Sequence, residues 1–216
     1  MRKAVLFDLD GTLVDTIPDI AAVMNAVLEE LGFPPHPQKE YLAFVGWGSR
    51  ELSRLSLPES ARTEENIRAA DRGMKTLYAK NPVARSRPYP GIKDALGALN
   101  RHGIGLAVLS NKPDELTQAV IEKLFPDIPF AVVRGGRDGV PNKPDPTSAL
   151  AIARELSVDP QDCFFVGDSD VDMRTAVNAR MIPTAVSWGY RGVDELKAAG
   201  AARVLMRPEE LLGLMD

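Results

Sequence analysis

The sequence has few of the residues on which disulfide and zinc chemistry depend. Its 216 residues include one cysteine, Cys163, and two histidines, His36 and His102. A single cysteine excludes an intramolecular disulfide and is typical of a reducing compartment. Neither histidine follows an apolar run of the kind that predicts a strand, so a zinc centre is not expected. We therefore expect a cytoplasmic protein.

Long apolar runs and an excess of positive charge are also missing. No run approaches the roughly 20 apolar residues that a membrane-spanning helix needs, and the apolar stretch after Arg2 and Lys3 is too short for a signal peptide. The formal net charge of −4 argues against a dedicated nucleic-acid binder. The expectation is a globular protein with neither a nucleic-acid nor a membrane partner.

Five short apolar runs predict buried strands of a parallel sheet. Helical patterns lie between most of them, and this alternation indicates an α/β fold with a doubly wound sheet. Continuous apolar runs are typical of parallel strands, which helices cover on both faces. The runs are residues 4–7, 105–109, 130–133, 164–166 and 184–186.

The first two runs are separated by far more chain than a crossover between parallel strands needs. Residues 8–104 lie between them, where about a dozen residues would suffice. Apolar residues recur at helical spacing over residues 17–31, and further helices are predicted over 41–45, 51–57 and 64–78. The sequence thus predicts a helical domain, residues 15–86, inserted into a core of residues 1–14 and 87–216.

Polar residues directly follow several of the apolar runs or lie in the loops between them. Ligands of open parallel sheets bind beyond the carboxyl ends of the strands, so these residues are expected to meet at one edge. The segments are DLDGT (8–12), SNK (110–112), NKP (142–144) and GDSDVD (167–172).

Such a meeting of carboxylates requires a cation. Two carboxylates about 4 Å apart repel by roughly 4 kcal/mol at an effective dielectric constant near 20. Asp8, Asp10 and Asp168 are therefore expected to surround a metal ion, and oxygen ligands favour Mg²⁺. Lys143 and Ser110 suit the charge and lone pairs of a phosphoryl group. Together these residues predict phosphoryl transfer.

The spacing of Asp8 and Asp10 suggests a separate chemical role for each carboxylate. On an extended backbone their side chains point the same way, about 6.6 Å apart along the strand. Asp8 is expected to attack phosphorus, and Asp10 to act first as general acid and then as general base. Backbone N–H groups near Leu9, Asp10 and Asn111 are further candidates for binding the phosphate.

The four segments resemble the motifs of the haloacid dehalogenase superfamily of phosphatases, in the expected order along the chain. The resemblance implies a Rossmann-like core with a helical cap and Mg²⁺ as cofactor. It implies Asp8 as nucleophile, Asp10 as acid and base, and Ser110, Asn111 and Lys143 on the phosphate. The metal ligands would be Asp8, the carbonyl oxygen of Asp10, and Asp168, supported by Thr12 and Asp172.

Within the superfamily, the chain is most similar to the phosphoglycolate phosphatase group. The size of the predicted cap, DTIPDI at 15–20 and WGYR at 188–191 carry this resemblance. It implies a Mg²⁺-dependent phosphomonoester hydrolase that acts on a small phosphorylated metabolite. One departure is Arg180, since the family has glycine after the helix that follows the fourth motif; the local turn geometry is therefore in question.

Two other functions stay open at this point. A β-phosphoglucomutase-like phosphomutase would share the layout and keep the second aspartate. A phospho-aspartate signalling module also uses carboxylates and lysine at strand ends, but it needs no inserted helical domain. A dehalogenase is disfavoured because that branch lacks the acid at the position of Asp10.

The predicted helical domain is the part of the chain that its sequence describes least. Gly46 and Gly48 suggest a mobile loop that brings Arg50 to a substrate carboxylate. A plain turn between helices with a solvated arginine fits the same residues equally well. The sequence identifies neither the substrate nor the choice between monomer and homodimer.

Overall fold

A computed structural model describes residues 3–215; residues 1, 2 and 216 of the predicted core lie outside the described residues. The strands are β1 (Ala4–Phe7), β2 (Val14–Asp15), β3 (Arg87–Pro88), β4 (Gly105–Pro113), β5 (Val132–Gly136), β6 (Cys163–Gly167), β7 (Ile182–Val186) and β8 (Arg203–Leu205). Six of them form a parallel sheet in the order β5-β4-β1-β6-β7-β8. The other two, β2 and β3, form a short antiparallel pair.

Helices follow most of the parallel strands, as the doubly wound interpretation predicted. None of the described helices combines the length and the apolarity that crossing a membrane requires. The helices are α1 (Ile17–Glu30), α2 (Tyr41–Phe44), α3 (Ser49–Ser56), α4 (Glu64–Lys80), α5 (Ile92–Arg101), α6 (Asp114–Leu124), α7 (Thr147–Leu156), α8 (Asp170–Asn178) and α9 (Val193–Ala198).

The central strand β1 brings the candidate catalytic segments to one edge. Phe7 lies opposite Val108 of β4 and opposite Val166 of β6. All three strands run in the same direction, so Asp8, Leu109 and Gly167 lie in the same register just beyond the carboxyl end of β1. Alternate residues of β1 pack on opposite faces: Val5 and Phe7 belong to one buried cluster, and Ala4 and Leu6 to another. The parallel α/β fold predicted from the sequence is confirmed.

The chain enters and leaves the region of helices α1 to α4 through two paired strands, β2 and β3. We call residues 17–80, which contain these four helices, the helical segment. Val14 of β2 pairs with Pro88 of β3, so the two connections run side by side. Asp19, in the first turn of α1, accepts hydrogen bonds from the backbone N–H groups of Arg85 and Ser86 and from the Ser86 hydroxyl. The predicted division into domains at residues 15 and 86 stays a prediction.

The sheet differs from the sequence prediction at its edges. All five predicted strands are present, but β5 extends from Val132 to Gly136 rather than from residue 130 to 133. The sixth strand, β8, was not predicted, because its three residues include Arg203 and form no apolar run. Pairing with β7 places this segment in the sheet.

Arg180 adopts the backbone conformation that the family's glycine would adopt. Its φ angle is 58°, in the left-handed region. Its N–H bonds the carbonyl oxygen of Val177, and the N–H of Met181 bonds that of Ala176. Helix α8 therefore ends in the usual left-handed turn. A side chain at this position costs about 1–2 kcal/mol relative to the right-handed conformation, but the turn is retained.

Candidate active site

Asp8 lies at the carboxyl end of β1 beside a buried lysine. Lys143 Nζ is 2.8 Å from Asp8 Oδ1 and 2.6 Å from Asp172 Oδ1, and all three side chains are buried. The second oxygen of Asp172 accepts hydrogen bonds from the Ser169 hydroxyl and from its backbone N–H at the start of α8. Helix capping thus fixes Asp172, and Asp172 together with Asp8 holds the ammonium group.

Asp168 follows β6 and is held by two other segments. Its Oδ1 accepts from the Thr12 hydroxyl at 3.0 Å, and its Oδ2 accepts from the Tyr190 backbone N–H at 2.7 Å. Gly11, with φ of 85°, lies so close that a β-carbon there would overlap the Asp168 carboxylate; a β-carbon at Gly189 would overlap it as well. Two glycines and two donors therefore set the orientation of this carboxylate.

Three of these acids form a cluster with excess negative charge. Carboxylate oxygens of Asp8, Asp168 and Asp172 lie within 4.8 Å of one another, and Lys143 supplies one positive charge to them. Burial, with repulsion from Asp172 and Asp10, raises the pKa of Asp8 to about 7 although Lys143 opposes the rise. Burial and repulsion from Asp172 and Asp8 raise the pKa of Asp168 to about 8.

The donor set of this cluster fits a divalent cation. When all three carboxylates are ionised, the single ammonium leaves a net charge of −2, and buried charge of one sign is stable only when it is compensated. The ligands are all oxygens, which Mg²⁺ prefers. Asp172 differs from the other two acids because it does not line the cavity described below; one of its oxygens pairs with Lys143 and the other accepts from Ser169.

The Asp10 side chain lies outside the acidic cluster and pairs with a second buried lysine. Its Oδ1 accepts from the Thr16 hydroxyl at 2.6 Å and from Lys112 Nζ at 2.9 Å. Burial disfavours the Lys112 ammonium, but the Asp10 charge outweighs this and the pKa of Lys112 is raised. Tyr190 joins the network, since its hydroxyl accepts from the Thr16 N–H and lies 3.3 Å from the Thr16 hydroxyl.

Asn111 and Ser110 lie at the end of β4, beside the Lys143 loop. The Asn111 side chain accepts from the Lys143 N–H and donates to the Lys143 carbonyl oxygen, at 2.8 and 3.0 Å. It also lies 2.9 Å from the Gly46 carbonyl oxygen of the helical segment. The Asn111 amide thus positions the lysine loop. Ser110 Oγ accepts from the Lys112 N–H and keeps its hydroxyl hydrogen for another partner.

A cavity of about 50 Å³ separates the helical segment from the end of the sheet. It has room for a few water-sized groups. Asp8, Asp10, Ser110, Asn111 and Asp168 line it, so the structure brings five of the predicted site residues to one cavity; Lys143 contacts Asp8 beside it. The helical segment contributes Ile20, Val45, Gly46, Gly48, Ser49, Leu52, Met74 and Tyr78.

Arg50 does not line this cavity, and its side chain bonds none of the residues that do. Its guanidinium group is exposed and pairs with Glu64 of α4 at 2.5 Å. Gly46, Gly48 and Ser49 line the cavity, but Arg50 does not. In this conformation Arg50 thus makes a surface ion pair between α3 and α4.

Sequence reasoning missed the roles of Lys112, Tyr78 and Arg191, which all line the cavity. Arg191 donates to the carbonyl oxygens of Leu42 and Val45 at the end of α2, and so ties the loop after β7 to the helical segment. A signal existed for Lys112, because it follows Ser110 and Asn111 at a strand end. No sequence pattern distinguished Tyr78 from the other apolar positions of α4.

The chain matches the family model described as haloacid dehalogenase-like hydrolase over residues 5–186. A phosphoglycolate phosphatase of Aquifex aeolicus is 34% identical over 99% of this chain and 97% of its own length. An N-acetylmuramic acid 6-phosphate phosphatase of Pseudomonas aeruginosa is 30% identical over 99% and 95%. The crystal structure of a predicted phosphoglycolate phosphatase from Haemophilus somnus superimposes with a TM-score of 0.89 at 26% identity, covering 100% of this chain and 98% of that one.

Proposed function

Because the chain belongs to the haloacid dehalogenase-like hydrolase family, we propose that this phosphatase depends on Mg²⁺ and forms an aspartyl-phosphate on Asp8. The arrangement that carries the proposal is the buried Lys143 ammonium between Asp8 and Asp172, beside a third carboxylate, Asp168. It combines a candidate nucleophile, a fixed positive charge and a set of oxygen ligands in one place.

The proposed metal ligands are Asp8, Asp168 and the carbonyl oxygen of Asp10. Mg²⁺ would neutralise charge on the phosphoryl oxygens and on the carboxylates around it. Thr12 and the Tyr190 N–H orient Asp168. Asp172 acts on Lys143 rather than on substrate, since it bonds the Lys143 ammonium and, unlike Asp8 and Asp168, does not line the cavity.

In the first step, an Asp8 oxygen forms a bond to phosphorus, and the bond from phosphorus to the leaving-group oxygen breaks. Lys143 holds the Asp8 carboxylate and adds positive charge next to the phosphoryl group. Its ammonium stays protonated because Asp172 and Asp8 outweigh the effect of burial and raise its pKa. The Ser110 hydroxyl and the backbone N–H of Asn111 supply donors to the phosphate oxygens.

Asp10 moves the protons in both steps. As an acid it gives its proton to the leaving-group oxygen. As a base it then takes a proton from the water that attacks phosphorus, so that the Asp8–phosphorus bond breaks and phosphate is released. Thr16 fixes the Asp10 carboxylate through a 2.6 Å hydrogen bond. The carboxylate is thereby directed along the same edge of the sheet as Asp8.

We further propose that residues 15–86 form a cap that limits which esters enter, over a core of residues 1–14 and 87–216. The cavity of about 50 Å³ favours a small metabolite, and phosphoglycolate is the substrate that the names of several relatives suggest. The buried, single Cys163 agrees with a cytoplasmic location.

The test is release of inorganic phosphate from a panel of small phosphate esters with Mg²⁺ present. Asp8→Asn should lower turnover by at least about 10⁴-fold, because an amide cannot act as the nucleophile. Asp170→Asn is the matched control: Asp170 is also an acid of the fourth motif, but it pairs with the exposed Arg174 and does not line the cavity. Turnover of this variant should stay within about twofold of the parent.

Acid-quenched protein incubated with a labelled ester should carry label that alkali removes, as an acyl-phosphate does. Undiminished turnover in Asp8→Asn would refute the nucleophile. A sugar phosphate isomerised without loss of phosphate would favour the mutase, and stable label on Asp8 without turnover would favour the signalling module.

A further inference from the structure

Two polar groups in the cavity have no part in the two steps above. They are the ammonium of Lys112, on β4, and the hydroxyl of Tyr78, on α4. Lys112 Nζ lies 4.5 Å from the centroid of the Tyr78 ring. One group thus comes from the sheet and the other from the helical segment, and they meet beside the cavity.

Lys112 has donor capacity beyond its bond with Asp10. Its ammonium is 2.9 Å from Asp10 Oδ1 and 3.2 Å from Oδ2. An ammonium carries three N–H donors, and Asp10 accounts for at most two of them. The charge is buried at the cavity wall, so a further oxygen acceptor that enters the cavity finds a donor there.

The Tyr78 hydroxyl is buried without an acceptor for its hydrogen. The side chain is 0% exposed, and among the described residues the polar group that interacts with its oxygen is the Lys112 ammonium, which can only donate. Leaving a buried donor unpaired is unfavourable, so the protein alone does not satisfy this hydroxyl. A ligand with an acceptor atom would satisfy it.

The other side chains around these two groups restrict what can bind between them. Cations are disfavoured by the Lys112 charge. Small groups are favoured, because the space accessible to water-sized groups is about 50 Å³, and most of the surrounding wall is apolar. A carboxylate suits both donors, since one of its oxygens can accept from Lys112 and the other from Tyr78. The residues of the apolar wall are Ile20, Val45, Leu52, Met74 and Leu116.

We infer that Lys112 and Tyr78 form a recognition site for an anionic group on the leaving-group side of the substrate. The preferred substrates are then phosphate monoesters of small hydroxy acids. This inference rests on the proposed phosphatase function, because it assigns the leaving group to the part of the cavity beside Asp10. It makes Lys112 and Tyr78 determinants of specificity.

The test compares two esters that differ in one group. 2-Phosphoglycolate has a carboxylate where 2-hydroxyethyl phosphate has a neutral hydroxymethyl group. Binding of each to Asp8→Asn protein with Mg²⁺, measured by calorimetry, avoids turnover. Tyr78→Phe should raise the Kd of 2-phosphoglycolate about tenfold or more and that of the neutral ester by less than about threefold, because hydrogen bonds to charged groups are the stronger ones. Lys112→Met should also raise the Kd of 2-phosphoglycolate more than that of the neutral ester, and by a larger factor than Tyr78→Phe does.

Tyr41→Phe is the matched control in the same background. Its hydroxyl donates to Asn25 inside the helical segment, away from the cavity lining, so both Kd values should stay unchanged. Three outcomes would each overturn the inference. They are an equal loss of affinity for the two esters in Tyr78→Phe, equal affinity of the Asp8→Asn protein for both esters, and no detectable binding of 2-phosphoglycolate to the Asp8→Asn protein. If Lys112→Met does not fold, Tyr78→Phe decides alone, since it removes a single oxygen.

Failure of the proposed function has a different signature. It would appear as no phosphate release from any ester by the parent protein, whereas the binding preference is measured on protein that does not turn over. The two outcomes are therefore separable.

Discussion

The two walls of the cavity are built from different parts of the chain and from different kinds of side chain. The sheet wall consists of residues at the ends of β1, β4 and β6, and the helical wall of residues on α1, α3 and α4. The sheet wall carries acids, of which Asp10 pairs with Lys112 and Asp8 pairs with Lys143 beside the cavity. The helical wall is apolar apart from Ser49 and the hydroxyl of Tyr78. The sheet wall includes Asp8, Asp10, Ser110, Lys112 and Asp168; the helical wall includes Ile20, Ser49, Leu52, Met74 and Tyr78.

This difference separates the reaction from the choice of ester. Phosphoryl transfer needs charges at fixed positions, and a charged side chain stays fixed when it is buried and paired. Selection among esters needs a surface whose shape and few polar groups differ between substrates. Changes in the sheet wall should therefore lower turnover of all esters together, and changes in the helical wall should alter their ranking.

After Asp8→Asn, the largest effect is expected from Asp10→Asn in the sheet wall. Loss of the acid and base should lower kcat by about 10²–10⁴-fold, by a similar factor for every ester that the parent hydrolyses. Steady-state kinetics on at least three esters provide the measurement. A loss confined to one ester would instead show that Asp10 recognises that substrate. It would contradict the separation of catalysis in the sheet wall from ester selection in the helical wall.

A smaller effect, of a different kind, is expected from Leu52→Ala in the helical wall. The added space should improve kcat/KM for a bulky ester such as glucose 6-phosphate, relative to 2-phosphoglycolate, by about tenfold, since pocket methylenes contribute roughly 10–200-fold to discrimination. Ile67→Ala is the matched control, because Ile67 is buried in the helical segment but does not line the cavity.

Leu52→Ala and Ile67→Ala should both lose stability, typically 2–5 kcal/mol for such truncations. The assays should therefore be run well below the melting temperatures of both variants. An unchanged ranking in Leu52→Ala, or the same altered ranking in Ile67→Ala, would contradict the role assigned to the helical wall.

The smallest effect is a pH-dependent response of stability to Mg²⁺. In the metal-free protein, Asp8 and Asp168 keep their protons up to about pH 7 and about pH 8, whereas the unfolded chain releases them near pH 4. The unfolded state thus binds fewer protons between these limits, so these two groups make the folded state less stable as pH rises. Mg²⁺ needs the ionised carboxylates and relieves their repulsion.

Millimolar Mg²⁺ should therefore raise Tm by about 5 °C or more near pH 8.5, and by much less near pH 5.5. Scanning calorimetry with Mg²⁺ or with EDTA at both pH values measures the shift. Asp168→Asn should abolish it and Asp170→Asn should retain it. An equal shift at both pH values would show that the cation binds elsewhere.

The sheet wall was largely predictable because its residues follow directly from local sequence. An apolar run ends, an acid follows, and parallel strands bring their carboxyl ends together. Asp8, Asp10, Ser110 and Asp168 were placed at one edge in this way, and the five apolar runs are all strands of the sheet. Their proposed chemical roles stay predictions until the kinetic tests are done.

The helical wall was not predictable in the same way. Tyr78 and Met74 occupy buried positions of an amphipathic helix, where apolar spacing describes the core and a binding surface equally well. The sequence left Arg50 equally open as a substrate ligand or a solvated arginine, and in the structure it pairs with Glu64, which lies 14 residues further along the chain. Edge strand β8 was missed because its pairing with β7, rather than its composition, places it in the sheet.

By itself, the sequence determined the α/β architecture, the presence of helices between the first two core strands and the set of acids at the end of the sheet. Each of these depends on spacing over a few residues. Only the tertiary structure decided that Lys112 lies between Asp10 and Tyr78, that Asn111 holds the Lys143 loop, and that Arg191 reaches the end of α2. These contacts join residues that are far apart in the chain, and packing of the helical segment against the sheet is what brings them together.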